Sequence, residues 1–168
     1  RDLFAFVNAY KAAGQSIVTT NAIPVGLTSL NSIRDDELSS RLITSFPKNK
    51  RILCIMDCCF SGTLFDLRYN YTAVGGLRVS SRSPNVDCVI VCISGSLDIE
   101  VALQLNYGGL LTGKINELVQ SDRYASASML DLLSEVQALV DKQFGKYAPV
   151  LTLSSSMPLN GVSLNEWF

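Results

Sequence analysis

The sequence predicts an α/β fold in which helices cover a parallel sheet, and three features indicate it. Two apolar runs, Ile52 to Met56 and Val86 to Ile93, the second interrupted only by Asp87, have the length and composition of strands buried on both faces. A long helical pattern follows them towards the C-terminus, and the apolar run Pro149 to Leu153 resembles a late strand. Strands that alternate with helices are typical of layered α/β domains.

The elements before the second apolar run follow this order. A strand is expected over Asp2 to Val7. Asp35 can cap a helix that carries Leu38, Leu42 and Ile43. That helix should end before Phe46-Pro47, because the residue preceding a proline disfavours helical backbone. The strand Ile52 to Met56 comes next, at the centre of the sheet.

The remaining elements complete the pattern. The segment Tyr69 to Asn85 is rich in Gly, Ser and Arg and has no sustained period, so we expect an exposed linker there. A short helix is predicted over Leu110 to Gln120. A second helix should begin at a capping box formed by Ser128 and Asp131 and end at Gly145. Its apolar positions recur at helical spacing: Met129, Leu132, Leu133, Val136, Leu139, Val140 and Phe144.

Length and composition bound the class of protein. The 168 residues fit a single domain, 1–168. Fourteen basic and fifteen acidic residues, without a dense basic stripe, argue against nucleic acid as a partner. No apolar run approaches the ~20 residues of a membrane helix. Five cysteines in or beside apolar runs predict a reducing compartment, the cytosol, and the absence of an initiator Met leads us to expect a longer parent protein.

The chemistry is expected where the buried strand Ile52 to Met56 ends. Open α/β proteins keep their sites at the carboxyl edge of the sheet. The segment that follows this strand is polar and small, with two adjacent cysteines: Asp57, Cys58, Cys59, Phe60, Ser61 and Gly62.

This segment resembles the Asp-x-Cys-His-Ser-Gly motif of metacaspases, a family of caspase-like cysteine peptidases, and Asp66-Leu67 with Tyr69 resembles its trailing Asp-Leu-Pro-Tyr. The resemblance places Cys59 at the nucleophile position. It also implies a caspase-like three-layer α/β/α sandwich with a mostly parallel sheet, in which 69–85 links a larger and a smaller half. Three other segments resemble family elements in the same order: Ile33 to Leu38, Ser94-Gly95 and Leu153 to Ser156.

The chain departs from the family at the catalytic base, because it contains no histidine. Two alignments of the family's Ser-Gly-His-Gly motif are possible, and they put Tyr10 or Ala13 at the histidine position. A phenol with a pKa near ~10 is a poor proton acceptor at neutral pH, and alanine has no basic group. Phe60 also replaces the second histidine of the nucleophile motif. The resemblance therefore indicates a degenerate member of the family.

Two further roles follow from the resemblance, each with a simpler alternative. Asp57 corresponds to an acidic residue of the family's pocket for Arg or Lys side chains, although a solvated strand-end carboxylate is equally compatible with the pattern. Asp35, Asp36 and Asp66 match calcium-binding aspartates, although Asp35 and Asp36 can simply cap a helix. A further calcium ligand of the family corresponds to Gly26, which weakens the predicted site.

Three hypotheses follow. The first is a pseudopeptidase that binds basic peptides or a partner peptidase without turnover. The second is an active, calcium-stimulated cysteine endopeptidase that cleaves after Arg or Lys with a base supplied from elsewhere. The third is a purely structural interaction module. No membrane or nucleic-acid partner is expected under any of them.

Overall fold

A computed structural model describes residues 3–7, 10–12, 16–18, 32–34, 37, 39–41, 48–57, 62, 64–81, 83, 86–96, 104–105, 108–120 and 127–167. The strands are β1 (Leu3–Val7), β2 (Tyr10–Ala12), β3 (Ser16–Val18), β4 (Ser32–Arg34), β5 (Arg51–Met56), β6 (Tyr69–Thr72), β7 (Gly76–Val79), β8 (Val89–Ser94), β9 (Gln104–Leu105), β10 (Gly108–Gly109) and β11 (Thr152–Ser155). The helices are α1 (Leu110–Val119) and α2 (Met129–Phe144), followed by 3₁₀ turns at Gly145–Tyr147 and Leu164–Glu166. Residues 37 and 39–41 are also helical, within the predicted early helix.

The predicted α/β fold class is confirmed, and the two apolar runs lie side by side in the main sheet. Its strand order is β1-β5-β8-β11-β6-β7. β5 pairs in parallel with β1 and β8, whereas the pairings β8-β11, β11-β6 and β6-β7 are antiparallel. A three-stranded antiparallel sheet, β2-β3-β4, and the short pair β9-β10 complete the described strands.

The sheet is therefore mixed rather than mostly parallel, and the connection between β8 and β11 explains this difference. Two helices, α1 and α2, lie between these strands in the chain. Because β8 and β11 are antiparallel, the chain enters β11 from the same edge of the sheet at which it left β8. A crossover with a single helix would have made the two strands parallel.

The core consists of two clusters, one on each face of the main sheet. On one face, α1 and α2 pack against side chains of β5, β8 and β11 such as Leu53, Val91 and Leu153, all at most 2% exposed. On the other face, Ile52, Cys54 and Met56 of β5 pack with Ile90, Cys92 and the loop residues Leu64, Phe65 and Leu67. Residues on both faces of β5 and β8 are buried, as their continuous apolar patterns indicate. No helix within the described ranges is long and apolar enough to cross a membrane.

The first half of the predicted linker, Tyr69 to Asn85, is not irregular. It forms a β-hairpin, β6-β7, at the end of the main sheet. Gly75 adopts a φ of 92° in the turn, and its N–H donates to the Thr72 carbonyl over 3.0 Å. Each strand has only four residues, so an alternation of apolar and polar residues along it cannot be distinguished from chance. All residues of β7 are exposed, whereas Tyr71 of β6 is buried.

The helix α2 begins at the capping box that the sequence predicts. The Ser128 hydroxyl accepts from the Asp131 N–H over 3.1 Å, and the Asp131 carboxylate accepts from the Ser128 N–H over 2.9 Å. The Asp131 carboxylate also accepts from the Ser128 hydroxyl. The hydrogen bond from the Ser128 N–H, and second the one from the Ser128 hydroxyl, lower the pKa of Asp131. The ionised carboxylate is therefore the form that stabilises the helix start.

We expect Ser128→Ala to lower the free energy of unfolding by about 1 kcal/mol at neutral pH. Because the folded pKa of Asp131 is depressed, its contribution is present above the ordinary Asp pKa and is lost as the pH falls through and below about 4. The cost of the substitution should therefore shrink in acid. Urea unfolding at pH 7 and pH 3 measures both values, and an equal cost at the two pH values would contradict this role of Asp131.

Candidate functional site

The carboxyl edge of β5 and β8 brings together two of the segments that the sequence singles out. The Gly95 N–H donates to the Met56 carbonyl over 2.9 Å, which joins the strand ends directly before Asp57 and directly after Ser94. Ser94 is 1% exposed and its hydroxyl lies 3.7 Å from the Cys92 thiol. The neighbouring strand β11 contains most of the C-terminal segment Leu153 to Ser156.

Asp57, half-buried at the end of β5, holds the start of helix α1. Its Oδ1 accepts from the Leu111 N–H over 2.9 Å, and its Oδ2 accepts from the Thr112 N–H over 2.8 Å and from the Thr112 hydroxyl. The first N–H groups of a helix have no partner within the helix, and they carry its positive dipole end. Asp57 therefore acts as a cap supplied from another element.

Gly109, directly before α1, makes this cap possible. It occupies the N-cap position, where a side chain usually accepts from the first turn, and it has none. A Cβ atom at this position would overlap the Cγ and Oδ2 atoms of Asp57. The carboxylate thus fills the space that a side chain of residue 109 would occupy. Sequence reasoning missed Gly109 and Thr112, although a Gly-Gly pair before a helical pattern was a signal for a close approach of backbone.

Most of the other predicted site residues lie outside the described residues. These are the nucleophile candidate Cys59, the calcium candidates Asp35 and Asp36, and Ala13. For Tyr10, only the backbone is described, as the first residue of β2. The catalytic and calcium roles of these residues therefore stay predictions.

Asp66 is the predicted calcium ligand that the structure describes. It is exposed and has a φ of 47°, a left-handed conformation that Asp tolerates better than most residues. It lines a pocket together with residues of β6, β7 and β11. Within the described ranges, no three His, Cys, Asp or Glu side chains form a group that could hold a metal ion.

The cysteines of the described strands are core residues, as their positions in apolar runs predict. Cys54, Cys88 and Cys92 are free thiols and at most 5% exposed. Burial raises the pKa of Cys54 to about 12, and burial also raises the pKa of Cys88. A thiol with a raised pKa is a poor nucleophile, because the thiolate is the reactive form.

The sequence is similar to known proteins over most of its length or over parts of it. Residues 9–68 match the family described as "Metacaspase, peptidase C14 domain". Metacaspase-2 of Trypanosoma brucei brucei (strain 927/4 GUTat10.1) is 25% identical over 166 residues, which cover 86% of this chain and 47% of that protein. "Inactive metacaspase-4" of Trypanosoma brucei brucei is 24% identical over 157 residues, covering 82% of this chain and 43% of that protein.

A diatom protein is more similar over a shorter stretch. Metacaspase III c of Phaeodactylum tricornutum (strain CCAP 1055/1) is 37% identical over 65 residues, which cover 39% of this chain and 19% of that protein. The chain thus spans about half the length of the trypanosome relatives it matches, and less of the diatom one.

Proposed function

Because this chain belongs to the metacaspase family, a group of caspase-like cysteine peptidases, we propose that it is a pseudopeptidase that binds peptides or a partner peptidase with little or no turnover. The observation that carries the proposal is the composition: none of the 168 residues is a histidine, whereas the resemblance places Cys59 at the family's nucleophile position. The name of one relative, "Inactive metacaspase-4", fits a family in which activity can be lost.

The chemistry of thiol peptidases explains why the histidine matters. A cysteine with an ordinary pKa near ~8.5 is only a few per cent thiolate at neutral pH. The imidazole of the family raises that fraction and then donates a proton to the leaving amine. Neither Tyr10 nor Ala13, the residues at the two possible histidine positions, supplies such a group. Without it, acylation of Cys59 and expulsion of the amine are both slow.

Peptide binding can survive the loss of the base, and Asp57 is the residue we propose for it. Among the described residues, the Asp57 Oδ1 atom accepts one hydrogen bond, from Leu111, and a carboxylate oxygen has two acceptor directions. An Arg or Lys side chain could therefore bind Oδ1 while the carboxylate still caps α1. Because Asp57 would serve both purposes, binding of a basic side chain should be sensitive to any change at the start of α1.

Calcium binding is a further part of the proposal. Asp35, Asp36 and Asp66 would supply carboxylate oxygens, the hard ligands that calcium prefers. The exposed carboxylate of Asp66 is compatible with such a role. Calcium takes six to eight oxygens, so three aspartates with glycine at position 26 should give a weak site. Bound calcium would offset the negative charge of these carboxylates.

The proposal predicts that purified protein does not cleave fluorogenic Arg or Lys peptides above the level of Cys59→Ala, with or without millimolar calcium. The reason is that the thiol remains but the base does not. Cys58→Ala is a matched control, because it removes the adjacent cysteine and leaves the nucleophile position unchanged. Initial rates of the three proteins, measured at equal concentration, decide the result.

Cleavage that is present in the wild type and in Cys58→Ala but absent in Cys59→Ala would overturn the proposal in favour of an active peptidase with a base from elsewhere. If no protein cleaves, fluorescence anisotropy with matched Arg and Gln peptides tests the binding part. We expect the Arg peptide to bind at least about tenfold more tightly, since a charge-assisted pair is worth about 1.5–3 kcal/mol. Equal binding of the Arg and Gln peptides, or no binding of either, would favour the third hypothesis, a structural interaction module.

A further inference from the structure

A pocket of about 430 Å³ lies beside the loop that follows the Cys59 segment. Gly62, Asp66 and Leu67 of this loop form one wall. The other lining residues come from the hairpin β6-β7 and from the first residue of β11. Small-molecule sites in proteins typically have volumes of roughly 300–1,000 Å³, so this pocket has room for a small ligand. Asp66, a calcium candidate in the function proposed above, is one of its lining residues, whereas Asp57 is not.

The strand register shows which side chains form the floor of the pocket. Thr152 of β11 is directly opposite Thr72 of β6, and Thr72 is directly opposite Gly76 of β7. Residues directly opposite one another in a sheet project from the same face, and so do residues two apart in one strand. Thr152, Thr72, Gly76 and Arg78 therefore share one face. Gly76 keeps the floor open, because a Cβ atom there would lie 3.2 Å from the Thr72 hydroxyl.

The Thr152 hydroxyl is a buried polar group without a partner. Thr152 is 6% exposed, and its Oγ1 atom makes no hydrogen bond within the described part of the chain. A buried hydroxyl without a partner destabilises the folded state, and most such groups in proteins do have one. A ligand in the pocket that Thr152 lines would satisfy this hydroxyl.

Two opposite charges line the same pocket. Arg78 is exposed, and no described carboxylate forms an ion pair with it. Asp66 carries the negative charge; it has a contact within the protein, and a carboxylate has about four acceptor positions in all. Leu67 adds apolar surface. A complementary ligand has an anionic group, a cationic group, amide or hydroxyl groups between them, and an apolar side chain.

We propose that this pocket binds a short peptide with free ends, with its carboxylate towards Arg78, its ammonium towards Asp66 and its polar backbone against the Thr152 hydroxyl. The inference goes beyond the proposed function, because it assigns a second binding site and does not require Cys59 or Asp57. It also gives the unpartnered hydroxyl and the opposite charges a single explanation.

Isothermal titration with alanyl-leucine, in calcium-free buffer with mass spectrometry to confirm that the dipeptide stays intact, tests the proposal. N-acetyl-alanyl-leucine lacks the cation and alanyl-leucine amide lacks the anion, and each should bind at least about tenfold more weakly. Arg78→Gln should abolish the preference over the amide, and Asp66→Asn the preference over the acetylated form. Lys142→Gln, which removes a positive charge on α2 away from the pocket lining, should leave all three affinities unchanged.

Thr152→Val separates binding from folding. Valine has nearly the shape of threonine and no hydroxyl, so we expect a higher melting temperature without ligand and at least about fivefold weaker dipeptide binding. A higher melting temperature with unchanged affinity would show that the hydroxyl does not contact the ligand and would overturn the proposal. So would equal binding of the free, acetylated and amidated peptides, or no binding of alanyl-leucine at millimolar concentration.

Discussion

Gly109→Ala should lower the free energy of unfolding by roughly 2–4 kcal/mol. The new methyl group would overlap the Asp57 carboxylate, so the carboxylate has to move away from the start of α1. The cost combines an overpacked contact, typically about 1–3 kcal/mol, with the loss of a helix cap, about 1 kcal/mol. Chemical denaturation of the wild type and the variant measures it. Because Asp57 directly precedes the Cys58-Cys59 segment, the same substitution should disturb the candidate site.

The same helix supplies a matched control. Gly113 lies inside α1, and a Cβ atom there would have no neighbour within 4 Å. Gly113→Ala should therefore stabilise the protein by about 0.5–1 kcal/mol, since glycine is unfavourable in a helix interior. The two substitutions are chemically identical and have opposite expected signs. A similar effect of both would mean that Asp57 does not occupy the space above Gly109.

Gln137→Leu should be similarly costly, with a loss of about 2–4 kcal/mol. Gln137 lies in α2 and is 5% exposed. Its Oε1 atom accepts from the Leu151 N–H over 2.7 Å, and its Nε2 atom donates to the Pro149 carbonyl over 3.0 Å. Leucine has a similar size but no polar atoms, so both backbone groups would be left buried and without this partner. Thermal and urea unfolding measure the loss.

The Gln137→Leu substitution should also disturb the pocket that Thr152 lines, because Leu151 directly precedes Thr152. Gln143→Leu is the control: it makes the same change on an exposed position of the same helix, where we expect an effect within about 0.5 kcal/mol. If Gln137→Leu were as mild as this control, water would have to replace the lost hydrogen bonds, and the amide would not be what holds β11 to α2.

Local patterns were sufficient for several features of this protein. The Ser128 and Asp131 pair predicted the start of α2, because a capping box is formed by residues three positions apart. Continuous apolar runs predicted β5 and β8, since a strand buried on both faces has no polar side to interrupt it. The same runs predicted the burial of Cys54 and Cys92. The missing histidine is likewise a property of the sequence alone.

The tertiary structure decided the features that join distant segments. The contact of Asp57 with Thr112 spans 55 positions in the chain, and no local pattern specifies such a pairing. The antiparallel pairing of β11 with β8 and β6 likewise joins segments that are distant in the chain. The pocket depends on this pairing, because only pairing in register brings Thr152 beside Thr72 and onto the face of Arg78. The sequence by itself determined where β5, β8 and α2 form and that no histidine is present, because these features depend on residues near one another in the chain or on composition. Only the folded sheet determined what Asp57 and Thr152 meet, because their neighbours are set by strand order and register.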